Sequence, residues 1–270
     1  MFLLLVSLAA AADDLRLDPW VDGPLLGATA GYTVAAEFFL DPPYLTHAPI
    51  AEQKLALDAR YAGLPEIDGE GPALLSDITA LYPTYALPLV MGALGALQPP
   101  GERSRLGRAG TFAAVGLEVV TVNVTLTDVI KRAVRRPRPY ACSDDWQAEA
   151  AADLAAGEPV DVDAQMSFPS GHTSSAGAWT FALAHTWNLT HDGPWYLEAL
   201  PYLGASGITV WTGALRVRAH KHFPTDVLVG GLLGAGVGIL VPESHRSSRV
   251  APAVASSVDG TPLLGLSGLW

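Results

Sequence analysis

Six long apolar segments dominate this sequence, at residues 25–40, 78–97, 109–130, 173–189, 199–215 and 227–241. All are rich in Ala, Leu, Gly and Val, and none alternates apolar with polar residues, so helices are expected throughout. Turn-forming residues sit at or between their ends: Pro42-Pro43, Pro99-Pro100-Gly101, Pro137 and Pro139, Gly193-Pro194, and Pro242. Pro83 and Pro88 fall inside the second segment and are expected to kink it. A chain of 270 residues buries one sizeable core. The expected fold is therefore all-α, a single helical bundle of about six core helices spanning residues 13–241.

The flanks and one insertion read differently. Residues 1–12 are an apolar run ending in alanines, either a signal peptide without its positive start or the beginning of a helix. Residues 143–163 hold seven acids and no base, show no apolar period, and read as a long acidic loop. Residues 242–270 read as a tail, with a short hairpin or disorder as alternatives for its Ser/Gly/Pro-rich end.

The mean hydropathy of +0.27 and the segment lengths leave two settings open: an integral or tightly membrane-associated protein, which is favoured, or an exported soluble helical domain. Charge placement favours the membrane with the Lys131 end of the third helix on the outer face. The loop carrying Arg103, Arg105 and Arg108 would then lie inside, as would the tail with Arg246 and Arg249. The acidic start at residues 13–22 and the loop around Asp192 give that orientation no support.

A net charge of −11 argues against nucleic acid as a partner. Half of the sixteen basic residues nevertheless crowd into two islands, Lys131 to Arg138 and Arg216 to Lys221, which points to a local anion site. The single Cys142 excludes an intrachain disulfide and every multi-cysteine metal motif.

Three polar groups stand at expected helix ends. Lys131 falls in the last turn of the third helix, and Pro137 and Pro139 stop that helix so that Arg138 lies on extended chain beyond it. Pro169-Ser170-Gly171-His172 precedes the fourth segment, where free backbone N–H groups and the positive helix end face an anion. Arg216 and His222 lead to Pro224, suited to the first position of the last helix, with Asp226 in its first turn. A carboxylate bound to one imidazole nitrogen would leave the other as a nucleophile, so Asp226 is expected to orient His222.

Taken together, the order K-x6-R-P, P-S-G-H and R-x5-H-x3-D resembles the type 2 phosphatidic acid phosphatase superfamily, which includes lipid phosphate phosphatases, bacterial acid phosphatases and vanadium-dependent haloperoxidases. The resemblance implies a metal-independent phosphatase acting on a phosphomonoester or pyrophosphate, most plausibly of a lipid, with no cofactor. It implies that His222 attacks phosphorus to form a phosphohistidine, that Asp226 holds His222, and that His172 protonates the leaving oxygen and later activates water. Lys131, Arg138, Ser170, Gly171 and Arg216 would bind the phosphate oxygens. Leu215 departs from the family pattern, which has serine before the arginine. The alternatives are a vanadium haloperoxidase and a catalytically silent lipid-binding or scaffold protein of the same fold.

Among the remaining polar residues, Arg132, Arg135 and Arg136 are expected on a solvated or headgroup-contacting face. His185 is expected to be a satisfied core histidine. Glu118 and Asp128, which interrupt the third helix, are expected to be paired or to face a cavity.

Overall fold

In a computed structural model, the chain is described over residues 15–36, 39, 44–45, 57–66, 71–99, 103–246, 251–256 and 262–267. Residues 1–12, and the choice between signal peptide and helix start, lie outside them.

The described residues form seven α-helices: α1 (Pro19–Ala35), α2 (Pro72–Leu97), α3 (Arg105–Val134), α4 (Asp144–Ala156), α5 (Gly171–Thr190), α6 (Trp195–Arg218) and α7 (Pro224–Ser244). Six of them match the six apolar segments. The two short strands β1 (Tyr44–Leu45) and β2 (Val160–Asp161) pair antiparallel. A second antiparallel pair, β3 (Ala251–Ser256) with β4 (Pro262–Ser267), makes the carboxyl-terminal end a hairpin.

Helix α4 lies within the stretch expected to be a loop, and its cause is local. Alanine-rich sequence has high intrinsic helix propensity without any apolar period. Asp144 and Asp145 complement the dipole in the first turn, the Ser143 hydroxyl caps the Trp146 N–H, and Gly157 ends the helix in the left-handed region (φ 78°). Such a cap is worth about 1 kcal/mol. Ala150 and Trp146 then pack with Ala141, Val160 and Ala164 in a small cluster of their own.

Residues Leu87 and Met91 of α2, Phe112, Val115 and Val119 of α3, Ala178 and Ala182 of α5, and Val237 of α7 form the main core. Helix α2 runs unbroken through both of its internal prolines. Pro83 has no N–H for the Thr79 carbonyl four residues back, and the Trp179 indole of α5 donates to that carbonyl instead at 3.0 Å.

Glycines set the closest approach, between α5 and α7. A Cβ at Gly230 would stand 2.5 Å from the Ser170 carbonyl oxygen, and one at Gly234 would overlap the Ser174 carbonyl. The two backbones therefore touch along this face, which small residues alone permit.

Three helices, α2, α3 and α7, are long and apolar enough to cross a membrane. Leu75, Ile78, Tyr82, Tyr85 and Leu89 on α2, and Leu228, Leu232 and Leu240 on α7, lie exposed. Bare apolar area on that scale is what a bilayer covers.

Candidate active site

The site lies where one end of the bundle gathers the amino-terminal turns of α2, α5 and α7 and the carboxyl-terminal turns of α3 and α6. Arg135, in the left-handed region (φ 46°), terminates α3, and residues 135–138 then run without regular structure to the Pro139 turn. Ser170 caps α5, so Gly171 and His172 occupy its first turn. Pro224 opens α7, with Phe223 as cap and Asp226 three positions on.

These elements bring most of the sequence-derived residues together. Lys131, Arg138, Gly171, His172 and His222 line one cavity of about 770 Å³, with Leu81, Val124, Val162 and Met166 among its apolar walls. A second cavity of about 450 Å³ shares Leu81, Arg138, Asp163 and His172 with the first and adds Asp77, Arg216 and Lys221. The Arg138 guanidinium comes within 3.4 Å of His222 Nε2. Lys131 Nζ donates to the Met166 carbonyl at 2.6 Å. Arg216 donates to the Ser76 hydroxyl at 3.2 Å, and its buried Nε finds no partner among the described residues, leaving a donor free for an anion.

His222 is buried, and its Nδ1 lies 2.7 Å from the Ser167 carbonyl oxygen. A carbonyl accepts only, so Nδ1 carries the hydrogen and Nε2, on the Arg138 side, keeps the lone pair. Burial and then the positive charges of Arg138, Arg216 and Lys131 push the imidazole well below its ordinary pKa, so the neutral form prevails.

Two expectations need correction. Asp226 does not hydrogen-bond His222: its nearest oxygen stands 3.8 Å from Nδ1. The carboxylate accepts instead from the Ser167 hydroxyl, the Phe223 N–H at 2.8 Å and the Arg136 guanidinium. Three residues past the Phe223 cap, Asp226 is aimed back at its own helix start, and Ser167 takes the position beside the ring. Arg136, expected on a solvated face, is buried and pairs with Asp226 and Asp58 while stacking over the Phe223 ring at 4.3 Å. Two buried carboxylates draw it inward, since an unpaired charge there would be costly. Arg132 instead pairs with Asp128 one turn away, and Arg135 is exposed.

Ser170 is not brought to the cavity by its hydroxyl. That group is fully buried and bonds the Thr173 hydroxyl at 2.9 Å while capping α5. Gly171 lies on the cavity wall, where an added Cβ would meet the Lys131 stem at an ordinary 3.6 Å. Leu215 is buried, and the hydroxyl accepting from Arg216 comes from Ser76 of α2.

Sequence reasoning missed three acids here. Asp77 on α2 lies 2.7 Å from His172 Nε2 and 3.9 Å from Arg216. Asp163 binds Arg138 at 2.6 Å, and Asp58 supports Arg136 while accepting from the Thr225 hydroxyl. Burial, the largest influence, would raise the Asp163 carboxyl, but Arg138, Lys131 and Lys221 together hold the group below its ordinary value. His220 and Lys221 turn toward the preceding loop, His220 to the Pro65 carbonyl and Lys221 to Glu66. His185 is satisfied by Tyr202 and Glu243, as expected of a core histidine.

Two adjoining cavities that share Arg138 and His172, and between them carry Lys131, Arg216, His222 and a helix amino terminus, have the chemistry to hold a phosphate-type anion. A family model described as the PAP2 superfamily matches residues 112–249, just over half of the chain, and the chain belongs to that superfamily. It is 31% identical over 147 residues to phospholipid phosphatase 1 of Rattus norvegicus, covering 49% of this chain and 52% of that protein. It is 32% identical over 155 residues to decaprenylphosphoryl-5-phosphoribose phosphatase of Mycobacterium tuberculosis, covering 57% and 68% respectively. The chain thus spans about half the length of the first relative and about two thirds of the second. The crystal structure of the first transmembrane PAP2 type phosphatidylglycerolphosphate phosphatase, from Bacillus subtilis, is similar over 82% of this chain and 86% of that one, at 21% identity and a TM-score of 0.44.

Proposed function

We propose that this chain is a phosphatase that hydrolyses a phosphomonoester or diphosphate of a lipid through a phosphohistidine on His222, without a metal in the chemistry. The observation that carries the reading is the shared cavity of Lys131, Arg138, Gly171, His172 and His222, with His222 Nε2 unprotonated at its wall.

In the first step the Nε2 lone pair attacks phosphorus, the bond to the leaving oxygen breaks, and protonated His172 gives that oxygen its proton. In the second step His172 takes a proton from water, the hydroxide oxygen bonds phosphorus, and the N–P bond returns its electrons to His222. Lys131, Arg138 and Arg216 bear the charge of the equatorial oxygens, each well-placed donor being worth on the order of 3 kcal/mol. In the phosphate-free site burial, and then the charges of Arg216, Arg138, Lys131 and Lys221, lower the His172 pKa to about 2, so the proton of the first step enters with the bound phosphate, which offsets those charges while Asp77 stays hydrogen-bonded to the ring.

Lipid preference rests on the apolar wall of Leu81, Val124, Val162 and Met166, on the exposed apolar helix faces, and on the names of the two relatives. A chain attached to the phosphate would lie along that wall. The active-site end is assigned to the outer face because Arg103, Arg105 and Arg246 lie toward the opposite end of the bundle.

Phosphate release from a panel of lipid and soluble phosphoesters, with His222→Ala as the control, tests the activity. Turnover on lipid substrates that is lost in the variant, with an acid-labile labelled phosphoenzyme in the wild type, is the expected outcome. Equal release by the variant would remove the reading, and peroxide-dependent halide oxidation after vanadate loading would replace it with the haloperoxidase. Orientation is tested separately by impermeant maleimide on Asp145→Cys and Asp192→Cys in intact cells. Labelling of the second but not the first would reverse the assignment.

A further inference from the structure

At the other end of the bundle stands a group that the phosphate site leaves unused. Asp22 of α1, Glu118 of α3 and His245, which caps the end of α7, are all buried, and one ligand atom from each lies within 4.8 Å of the other two. Thirteen residues of helix separate Glu118 from Lys131, about 20 Å at the α-helical rise, so this group takes no part in phosphoryl transfer. From these residues we infer that Asp22, Glu118 and His245 form a binding site for a single divalent transition-metal ion.

Unmet bonding is the first argument. Glu118 Oε1 is buried without a hydrogen-bond partner among the described residues, and Glu118 Oε2 and His245 Nε2, 3.1 Å apart, are buried with none but each other. The only ion-pair partner of either carboxylate among the described residues is His245 itself, with neither Lys nor Arg in range. One imidazolium against two carboxylates would leave a net negative charge out of water, which costs several kcal/mol. A divalent cation with a neutral imidazole brings the cluster to zero.

Orientation of the ring is the second. His245 Nδ1 lies 2.8 Å from the Val241 carbonyl oxygen, so this nitrogen carries hydrogen and the neutral ring turns the Nε2 lone pair toward the two carboxylates. A backbone carbonyl holding the far nitrogen is the usual support of a metal-bound histidine. Asp22 is likewise prepared, because its Oδ2 accepts from the Asp18 N–H at 2.6 Å while Oδ1 faces the ring.

Spacing is the third. His245 Nε2 lies 3.1 Å from Glu118 Oε2 and 3.4 Å from Asp22 Oδ1. Ligand atoms bound about 2.0–2.2 Å from one ion stand roughly 3.0–3.5 Å from each other. One imidazole and two carboxylates suit Zn²⁺ or Mn²⁺ better than the harder Mg²⁺ or Ca²⁺. The ion would tie α1 and the start of the described chain, where Arg16 already donates to the His245 carbonyl at 2.7 Å, to α3 and α7.

The full chain in detergent, stripped with chelator, loaded with Zn²⁺ or Mn²⁺ and desalted, should retain one ion per chain by mass spectrometry. Its thermal midpoint should rise with the ion. Co²⁺ loading should give visible absorption bands from bound nitrogen and oxygen ligands. Glu118→Gln and His245→Gln should each lose the retained ion and the Co²⁺ bands. Wild-type protein that retains no ion and shows no bands would overturn the proposal whatever the variants do. Retention unchanged in both variants would also overturn it, by placing the ion elsewhere.

Discussion

Asp226 reaches His222 only through a third residue: its carboxylate binds the Ser167 hydroxyl, and the Ser167 carbonyl holds His222 Nδ1. Arg136 and, behind it, Asp58 keep that carboxylate in place. The chain Asp58, Arg136, Asp226, Ser167 and His222 stands behind the proposed nucleophile as a positioning device, and its outer members do not line the cavity.

Removing Arg136 therefore should damage turnover more than substrate binding. Arg136→Gln leaves two buried carboxylates unpaired, at a cost of about 3–5 kcal/mol of stability. We expect kcat to fall at least tenfold, about 1.4 kcal/mol in the barrier, with KM nearly unchanged. Arg136→Lys should restore part of kcat. Steady-state kinetics on folded protein decides this, and a rise in KM with kcat intact would contradict it.

Asp163 stands on Arg138 where a phosphate oxygen would compete for the same guanidinium. Its side chain is 53% exposed, so the pair is worth ~1 kcal/mol or less. Asp163→Asn should tighten inhibition by inorganic phosphate and by vanadate about fivefold, the equivalent of that energy. Inhibition constants measured for both anions give the result directly.

The depressed basicity of His222 gives a pH dependence with a definite sign. In the unfolded chain the imidazole takes a proton below about pH 6.5, whereas in the fold it stays neutral. The unfolded state then binds more protons, so stability falls as pH drops through that value. Between pH 7 and pH 5 the phosphate-free wild type should lose about 2 kcal/mol more than His222→Gln. Parallel losses in denaturation of the two proteins would contradict the assignment, and added phosphate should shrink the difference.

Gly234 and Gly236 should respond oppositely to alanine. A methyl at Gly234 overlaps the Ser174 carbonyl and forces α5 from α7, at about 1–3 kcal/mol. At Gly236 nothing lies within 4 Å, and alanine gains helix propensity of up to about 1 kcal/mol. Thermal midpoints of the two variants in one detergent provide the comparison.

Five of the site's side chains were legible because their positions relative to helix ends dictate where they point: Lys131, Arg138, His172, Arg216 and His222. Arg136 was misread as part of a charged face, although the helix has ended before it. Arg135 ends α3 in the left-handed region, and the chain that turns there carries Arg136 inward with Arg138 while Arg135 stays exposed. Asp58 and Asp77 come from a loop and a helix distant in sequence, and only the packing of α2 on α5 and α6, and of that loop on the start of α7, brings them in. Ser170 and Asp226 were located correctly, but their bonding was not, because neighbours one turn away competed for their oxygens. Helix α4 was missed because it relies on alanine and caps rather than on an apolar stripe.

The backbone contact between α5 and α7 has a consequence for how the proposed phosphatase could diversify. His172 lies in the first turn of one of these helices and His222 just before the Phe223 cap of the other, so the gap between the proposed acid and nucleophile is set by main-chain atoms that no side-chain exchange can adjust. Under the proposed function, selectivity for one lipid over another would be written on the opposite wall, at positions such as Ala36, Val124 and Asp128, where α1 and α3 can be re-lined while the two imidazoles stay in register.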